Sequence, residues 1–175
     1  GMVSQENIDF LKAGGRQYIV GTPKSQLKRF EQELLAQDWR TIRDGLEVKL
    51  CPCPDGGNET FVLCRSRDRR AKEQAMHARF EQRIEAGLTK IVASCQRRSQ
   101  ATGAIERRVG RLLGQNTRAA GLFDVKITAD AQGAAQIAWK KIESWRAWAQ
   151  LSEGSYVLRT NVSGWSDEDL WHAYI

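Results

Sequence analysis

Arginine carries most of the chemistry this sequence offers. Arg107, Arg108 and Arg111 fall three and four residues apart, which brings them to one helix face opposite Ile105, Val109 and Leu112, with Glu106 the nearest acid. Cations grouped in this way can grip phosphates, or they can form an ordinary solvated helix face, and both readings stand. A denser run, Arg65, Arg67, Arg69, Arg70 and Lys72, lies at the expected start of a long helix. That is the wrong end for positive charge, because the macrodipole already makes a helix N-terminus positive. The run therefore either meets phosphate or has little effect. Thr22-Pro23-Lys24-Ser25 is the third candidate: it leads from an expected strand into a helix start, where free N–H groups beside Lys24 favour an anion. A plain cap with a surface lysine is the alternative.

No catalytic centre is legible. There is no Gly-x-Ser-x-Gly elbow, and Gly110 to Gly114 lacks the Lys-Ser/Thr that would complete a phosphate loop. His77 and His172 are the only histidines and have no partner at ligand spacing, which argues against triad chemistry. Cys51 and Cys53 are separated by Pro52 alone, closer than a structural zinc pair. With Cys64 and Cys95 they read as structural free thiols of a reducing cytosol, and no metal is assigned. Trp39, Trp139, Trp145, Trp148, Trp165 and Trp171 read mainly as core, with one or two able to stack an unpaired base in a basic groove. Asn58-Glu59-Thr60 and Asn161-Val162-Ser163 match the glycosylation pattern by chance, since no secretory signal opens the chain.

The chain has 175 residues, 41% of them hydrophobic, and a net charge of +6 with a pI near 9.4. This balance suits a globular piece with a core and an anionic partner, nucleic acid first. No apolar run approaches the ~18 residues of a membrane span, so a cytoplasmic location without membrane contact is expected.

The positioning elements follow from periodicity. Ser4 caps a helix over 5–13 that Gly14-Gly15 stops. Gln17 to Val20 reads as a buried strand, and Thr22-Pro23 as an N-cap and first turn of a helix reaching Gln37, with Leu27, Phe30 and Leu34 as its stripe. Leu46, Val48 and Leu50 alternate, as do Phe61 and Leu63, around a turn at Pro54 to Asn58. Ser66 opens the longest helix, to Arg98, with Met76, Phe80, Ile84, Leu88, Ile91 and Cys95 on one face and Gly87 inside it. A shorter helix carries Ile105, Val109, Leu112 and Leu113. A second hairpin pairs Phe123, Val125 and Ile127 with Ala135, Ile137 and Trp139. Glu143 to Leu151 is ambiguous, Tyr156 to Thr160 is a strand, and Ser166 caps a final helix in which Asp169 completes a capping box and Trp165 staples Leu170. The fold class is α+β, built on β-hairpins with several helices.

Against that framework two stretches have familiar wording. Met2-Val3-Ser4, the helix to Gly14-Gly15, and Arg16-Gln17-Tyr18-Ile19-Val20-Gly21-Thr22-Pro23-Lys24 resemble the segment after the second catalytic aspartate of bacterial insertion-sequence transposases of the DDE type. Gly154-Ser155-Tyr156-Val157-Leu158-Arg159-Thr160-Asn161 resembles the strand that closes that family's insertion, and Asp167 to Ile175 the start of the helix bearing the third acid. Leu46 to Pro52 and Ile105 to Gly114 extend the resemblance over nearly the whole chain.

The resemblance implies peripheral pieces of an RNase H-like core at 1–40, an insertion domain at 41–161 and the start of the catalytic-glutamate helix at 162–175. It implies a cut-and-paste DNA transposase whose Mg²⁺ or Mn²⁺ would be held by three carboxylates outside this chain, leaving a piece that contacts transposon ends without cutting them. Tyr174 matches the tyrosine of the family's Tyr-Arg-Glu-Lys signature, Tyr156 falls near an aromatic that in relatives helps hold a flipped base, and Gly21 falls near a position where some relatives carry a DNA-contacting arginine, which makes Lys24 the candidate here. A stand-alone basic nucleic-acid-binding or regulatory protein and a purely structural interaction module are the other readings. The ends read as cut: Gly1-Met2 resembles a cleavage scar before a start codon, and Val3-Ser4 is already a staple and cap. Leu170, Trp171, Tyr174 and Ile175 are expected either to fray or to build a self-association contact.

Overall fold

The computed structural model describes residues 4–175, so the expected scar at Gly1-Met2 and the Val3 half of the first staple lie outside the described residues. In chain order the elements are α1 (Gln5–Ala13), β1 (Ile19–Gly21), a 3-10 helix (Lys24–Phe30), α2 (Glu31–Leu35), β2 (Arg40–Arg43), β3 (Leu46–Pro52), β4 (Thr60–Ser66) and α3 (Arg67–Arg97), followed by α4 (Thr102–Gln115), α5 (Thr117–Ala120), β5 (Phe123–Ala129), β6 (Ala135–Lys141), α6 (Glu143–Ser152), β7 (Ser155–Thr160) and α7 (Asp167–Tyr174). The class is α+β: among the described residues there are seven α-helices, a five-stranded antiparallel sheet in the order β1-β7-β4-β3-β2, and the separate hairpin β5-β6. Residues 1–72 with 151–175 form one compact unit, and residues 73–150 form another.

In the first unit the central strands are buried on both faces. Val48, Cys64, Val62 and Leu158 share one face and pack with Leu46, Val162, Leu170 and Trp171. Phe61, Leu63 and Val157 share the other, where Phe61 meets Phe30 at 5.3 Å between ring centres. This double burial explains a departure from simple alternation: Leu50 is exposed while Lys49 is buried. The Lys49 ammonium is held by Asp38 at 2.6 Å, Glu33 at 3.4 Å and the Trp39 ring at 4.9 Å, which offsets its desolvation.

Ser4 caps α1 as expected, its hydroxyl accepting the Asn7 N–H, and Gly14 ends it. Thr22 does not cap a helix. Its hydroxyl and its N–H both donate to the Val157 carbonyl, prolonging the β1–β7 edge, and Pro23 remains extended. With its cap used elsewhere, the following segment winds as a 3-10 helix and becomes α-helical only at Glu31. Leu27, Phe30 and Leu34 are nevertheless all buried, as the stripe requires. The expected strand at 17–20 falls at Ile19–Gly21.

The C-terminal patch is also corrected. Leu170 and Trp171 are buried against β3, β4 and β7, and only Tyr174 and Ile175 are exposed, at 44% and 76%. Ser166 and Asp169 form the capping box, but Trp165 stays 48% exposed and staples nothing firmly. Of the six tryptophans Trp171 is buried, Trp39, Trp139, Trp145 and Trp148 are half-buried with Trp139 and Trp145 packed against the core of the second unit, and Trp165 is exposed.

The second unit packs Ile84, Leu88 and Ile91 of α3 against Ile105 and Val109 of α4, with Leu122, Phe123 and Ala135 completing the core. Gly87 lets the two helices close, since a Cβ there would lie 2.5 Å from a Leu112 methyl. The ambiguous stretch at 143–151 is helical, and Trp145 packs on His77 at 5.8 Å between ring centres.

Candidate nucleic-acid interface

The arginine run at the start of α3 is occupied within its own unit. Arg67 binds Asp44 through two hydrogen bonds of 3.2 and 2.8 Å, and that pairing holds the Asp44 carboxyl below its usual range. Arg65 pairs with Glu47 at 2.7 Å and stacks 4.2 Å over Trp39. Arg69 lies 4.6 Å over the Tyr156 ring, and Arg70 donates to the Glu153 carbonyl at 3.1 Å. Carboxylates, ring faces and a carbonyl thus receive the charge that sits awkwardly on a helix N-terminus.

Tyr156 is similarly engaged. Its hydroxyl accepts the Trp171 indole N–H at 2.9 Å, and burial pushes its pKa up to about 12. Tyr174 leans on Gly21, where a Cβ would lie 2.8 Å from its hydroxyl. Lys24 opens the 3-10 helix, which has no side-chain cap.

A polar cluster of four side chains in the same unit centres on Glu59. Arg159 grips it with two hydrogen bonds of 2.7 Å, Tyr18 donates its hydroxyl, and Lys12 lies at 3.3 Å. Burial pushes the Glu59 carboxyl up, but the hydrogen bonds from Arg159, Tyr18 and Lys12 outweigh it and bring the pKa down to about 2. Burial and the same carboxylate raise the Tyr18 phenol. The cluster ties α1, the segment just before β1, and β7 to the loop before β4. Glu59 and Arg159 line a cleft of about 310 Å³ with Arg29, Cys53 and Asp55. Burial also pushes the Cys51 and Cys64 thiols up to about 12, so neither is a ready nucleophile.

The second unit has the opposite character. Residues 73–150 carry thirteen lysines and arginines against seven acids, which is the whole net charge of +6; the first unit is balanced. Within it, seven bases lie between Lys90 and Arg118 with Glu106 the one acid among them. Lys90, Arg108 and Arg111 line a single groove of about 260 Å³ with Gly87, Ile91, Leu112 and Gln115. Arg107 and Arg111 are exposed, whereas Arg108 turns inward and donates to Ser94 at 3.0 Å and Gln100 at 3.2 Å. The three arginines therefore do not form one solvent-facing row. Lys90, which the linear reading did not single out, lies with two of them because Gly87 draws α3 onto α4. The charge balance of residues 90–118 is the signal in the sequence that points to it.

Among the described residues no three His, Cys, Asp or Glu side chains gather to hold a metal ion. No helix among them is long and apolar enough to cross a membrane. No protein-family model matches this chain, and no curated protein or solved structure compared with it does either.

Proposed function

We propose that this chain is part of a cut-and-paste DNA transposase of the DDE type, contributing contacts to transposon-end DNA and not strand cleavage. One observation carries the reading. The two stretches worded like that family, Arg16 to Lys24 and Gly154 to Asn161, lie far apart in sequence yet pair as β1 and β7, Ile19 opposite Thr160, Val20 opposite Arg159 and Gly21 opposite Leu158. α7, worded like the start of the third acid's helix, docks Leu170 and Trp171 on the same sheet.

Residues 73–150 leave after β4 and return before its hydrogen-bonded neighbour β7, so they can be lifted out without breaking the ladder. That is how an inserted module behaves. In this reading β1 belongs to the RNase H-like core and α7 to its catalytic-glutamate helix, the insertion spans 41–161 with residues 73–150 as its own compact unit, and the charge of that unit meets DNA phosphates.

The test is incubation with supercoiled DNA and Mn²⁺ or Mg²⁺, read for both binding and nicking. Salt-sensitive binding without nicking is the expected result. Reproducible cleavage abolished by replacing an acid within 4–175 overturns the non-catalytic assignment. The reading frame around the coding segment separates the alternatives. An in-frame Asp-Arg upstream and a glutamate-bearing helix downstream support the transposase. Their absence favours a stand-alone basic nucleic-acid-binding protein, which the concentration of charge in 73–150 would suit equally.

A further inference from the structure

We propose that the groove between α3 and α4, edged by Lys90, Arg108 and Arg111, seats backbone phosphate of duplex DNA and is the principal electrostatic contact of this chain. The inference rests on the DNA-contact reading and narrows it to one site on one unit.

Three observations converge on this groove. The first is the contrast in pairing. Several arginines face carboxylates: Arg40 with Asp167 and Glu168, Arg146 with Glu81, Arg159 with Glu59. Lys90 and Arg111 make no ion pair among the described residues, and the partners of Arg108 are a neutral hydroxyl and a neutral amide. Three cations around one small groove repel each other, and an anion relieves that repulsion.

The second observation is preorganisation. Ser94 is buried, and Gln100 donates to its hydroxyl at 2.6 Å while both accept from Nη1 of Arg108. That holds the guanidinium in place and leaves Nε and Nη2 without a protein acceptor among the described residues, ready for the paired donation that suits a phosphate. The third is the glycine. A glycine inside a long helix costs about 1 kcal/mol relative to alanine, and here it lets Leu112 approach and brings the cations of α4 to Lys90. Duplex DNA is the occupant the surroundings favour, because the charge excess continues beyond the groove through Arg97, Arg98, Arg107 and Arg118. A polyanion with evenly spaced phosphates can use such an extended field.

The experiment measures affinity of the full chain for a duplex oligonucleotide of arbitrary sequence across a range of salt concentrations. Lys90→Gln/Arg111→Gln is expected to flatten the log-affinity against log-salt slope by about 1.8, roughly 0.9 for each phosphate no longer neutralised. Lys126→Gln/Lys140→Gln removes the same charge from the hairpin of the same unit and should leave the slope nearly unchanged. Ser94→Ala keeps every charge and frees Arg108, so affinity should fall several-fold with the slope retained. If the groove variant binds with the wild-type slope, or the hairpin variant flattens it equally, the site is overturned while the transposase reading survives. If the wild-type chain shows no salt-dependent duplex binding, or prefers anionic phospholipid vesicles, both are overturned.

Discussion

Glu59 shows how a single side chain can make stability depend on pH. Its folded pKa, about 2, is depressed from an ordinary value of 4.5, so the ionised form is favoured by folding. The contribution is fully present above about pH 4.5 and is lost as pH falls from there toward 2, when the native state must accept a proton on a carboxylate that Arg159 and Tyr18 already occupy. Urea denaturation across this window should show stability falling with acid in the wild type and a flatter profile in Glu59→Gln. Arg159→Ala removes the two 2.7 Å hydrogen bonds and leaves the carboxylate largely desolvated. A loss of about 3 kcal/mol at pH 7 is expected. An unchanged urea midpoint would show that Lys12 and water suffice.

At the scale of elements, the start of β7 and the seat of α7 are the exposed points of failure. Gly154 adopts φ +78, and a Cβ on it would lie 2.6 Å from the Ser66 carbonyl oxygen and 2.9 Å from the Arg70 nitrogen. Gly154→Ala therefore combines left-handed strain of about 1–2 kcal/mol with a backbone collision that no rotamer change relieves. It should lower the melting temperature more than any other single glycine-to-alanine change in this unit. Gly87→Ala and Gly121→Ala meet side chains instead, which can move. For α7, Trp171→Ala should cost about 3–5 kcal/mol, because the ring is buried, bonded to Tyr156 and covered by Arg43 at 4.9 Å. Ile175→Ser should cost almost nothing. Hydrogen exchange at Leu170 and Trp171 is expected to be slow at every protein concentration, since the sheet of the same chain covers them; protection that appears only at high concentration would return these residues to a self-association contact.

For the whole molecule, what matters is where the charge resides. The balanced unit spends its arginines on internal pairs, while the unit at 73–150 holds the net +6 with few acids to answer it. Self-repulsion of this kind lowers stability at low ionic strength and is screened by salt. Lys90→Gln/Arg111→Gln should therefore raise stability slightly in dilute buffer, by about 0.2–0.5 kcal/mol for each like-charge pair removed. The gain should vanish near 0.5 M salt, where the Debye length shrinks to a few ångströms. A variant that is destabilised, or equally stable in both buffers, would show that these cations do not repel.

Much of this architecture was legible in the residue order. The capping serines at 4, 66 and 166, the alternation at 46–52 and 123–139, and the apolar stripe from Ile84 to Ile91 are local signals, and local geometry reads them directly. What the order could not disclose depends on neighbours distant in the chain. Thr22 reads as a cap until Val157 arrives to take its hydroxyl, and Lys49 reads as a solvent-facing residue until Asp38, Glu33 and Trp39 close over it. Leu170 and Trp171 read as an orphan patch until β3, β4 and β7 cover them. Lys90 and Arg111 share no periodicity along the chain; only the close approach at Gly87 puts both on one groove. Periodicity reports which face of an element is apolar, whereas the identity of the surface that meets that face is decided by tertiary packing.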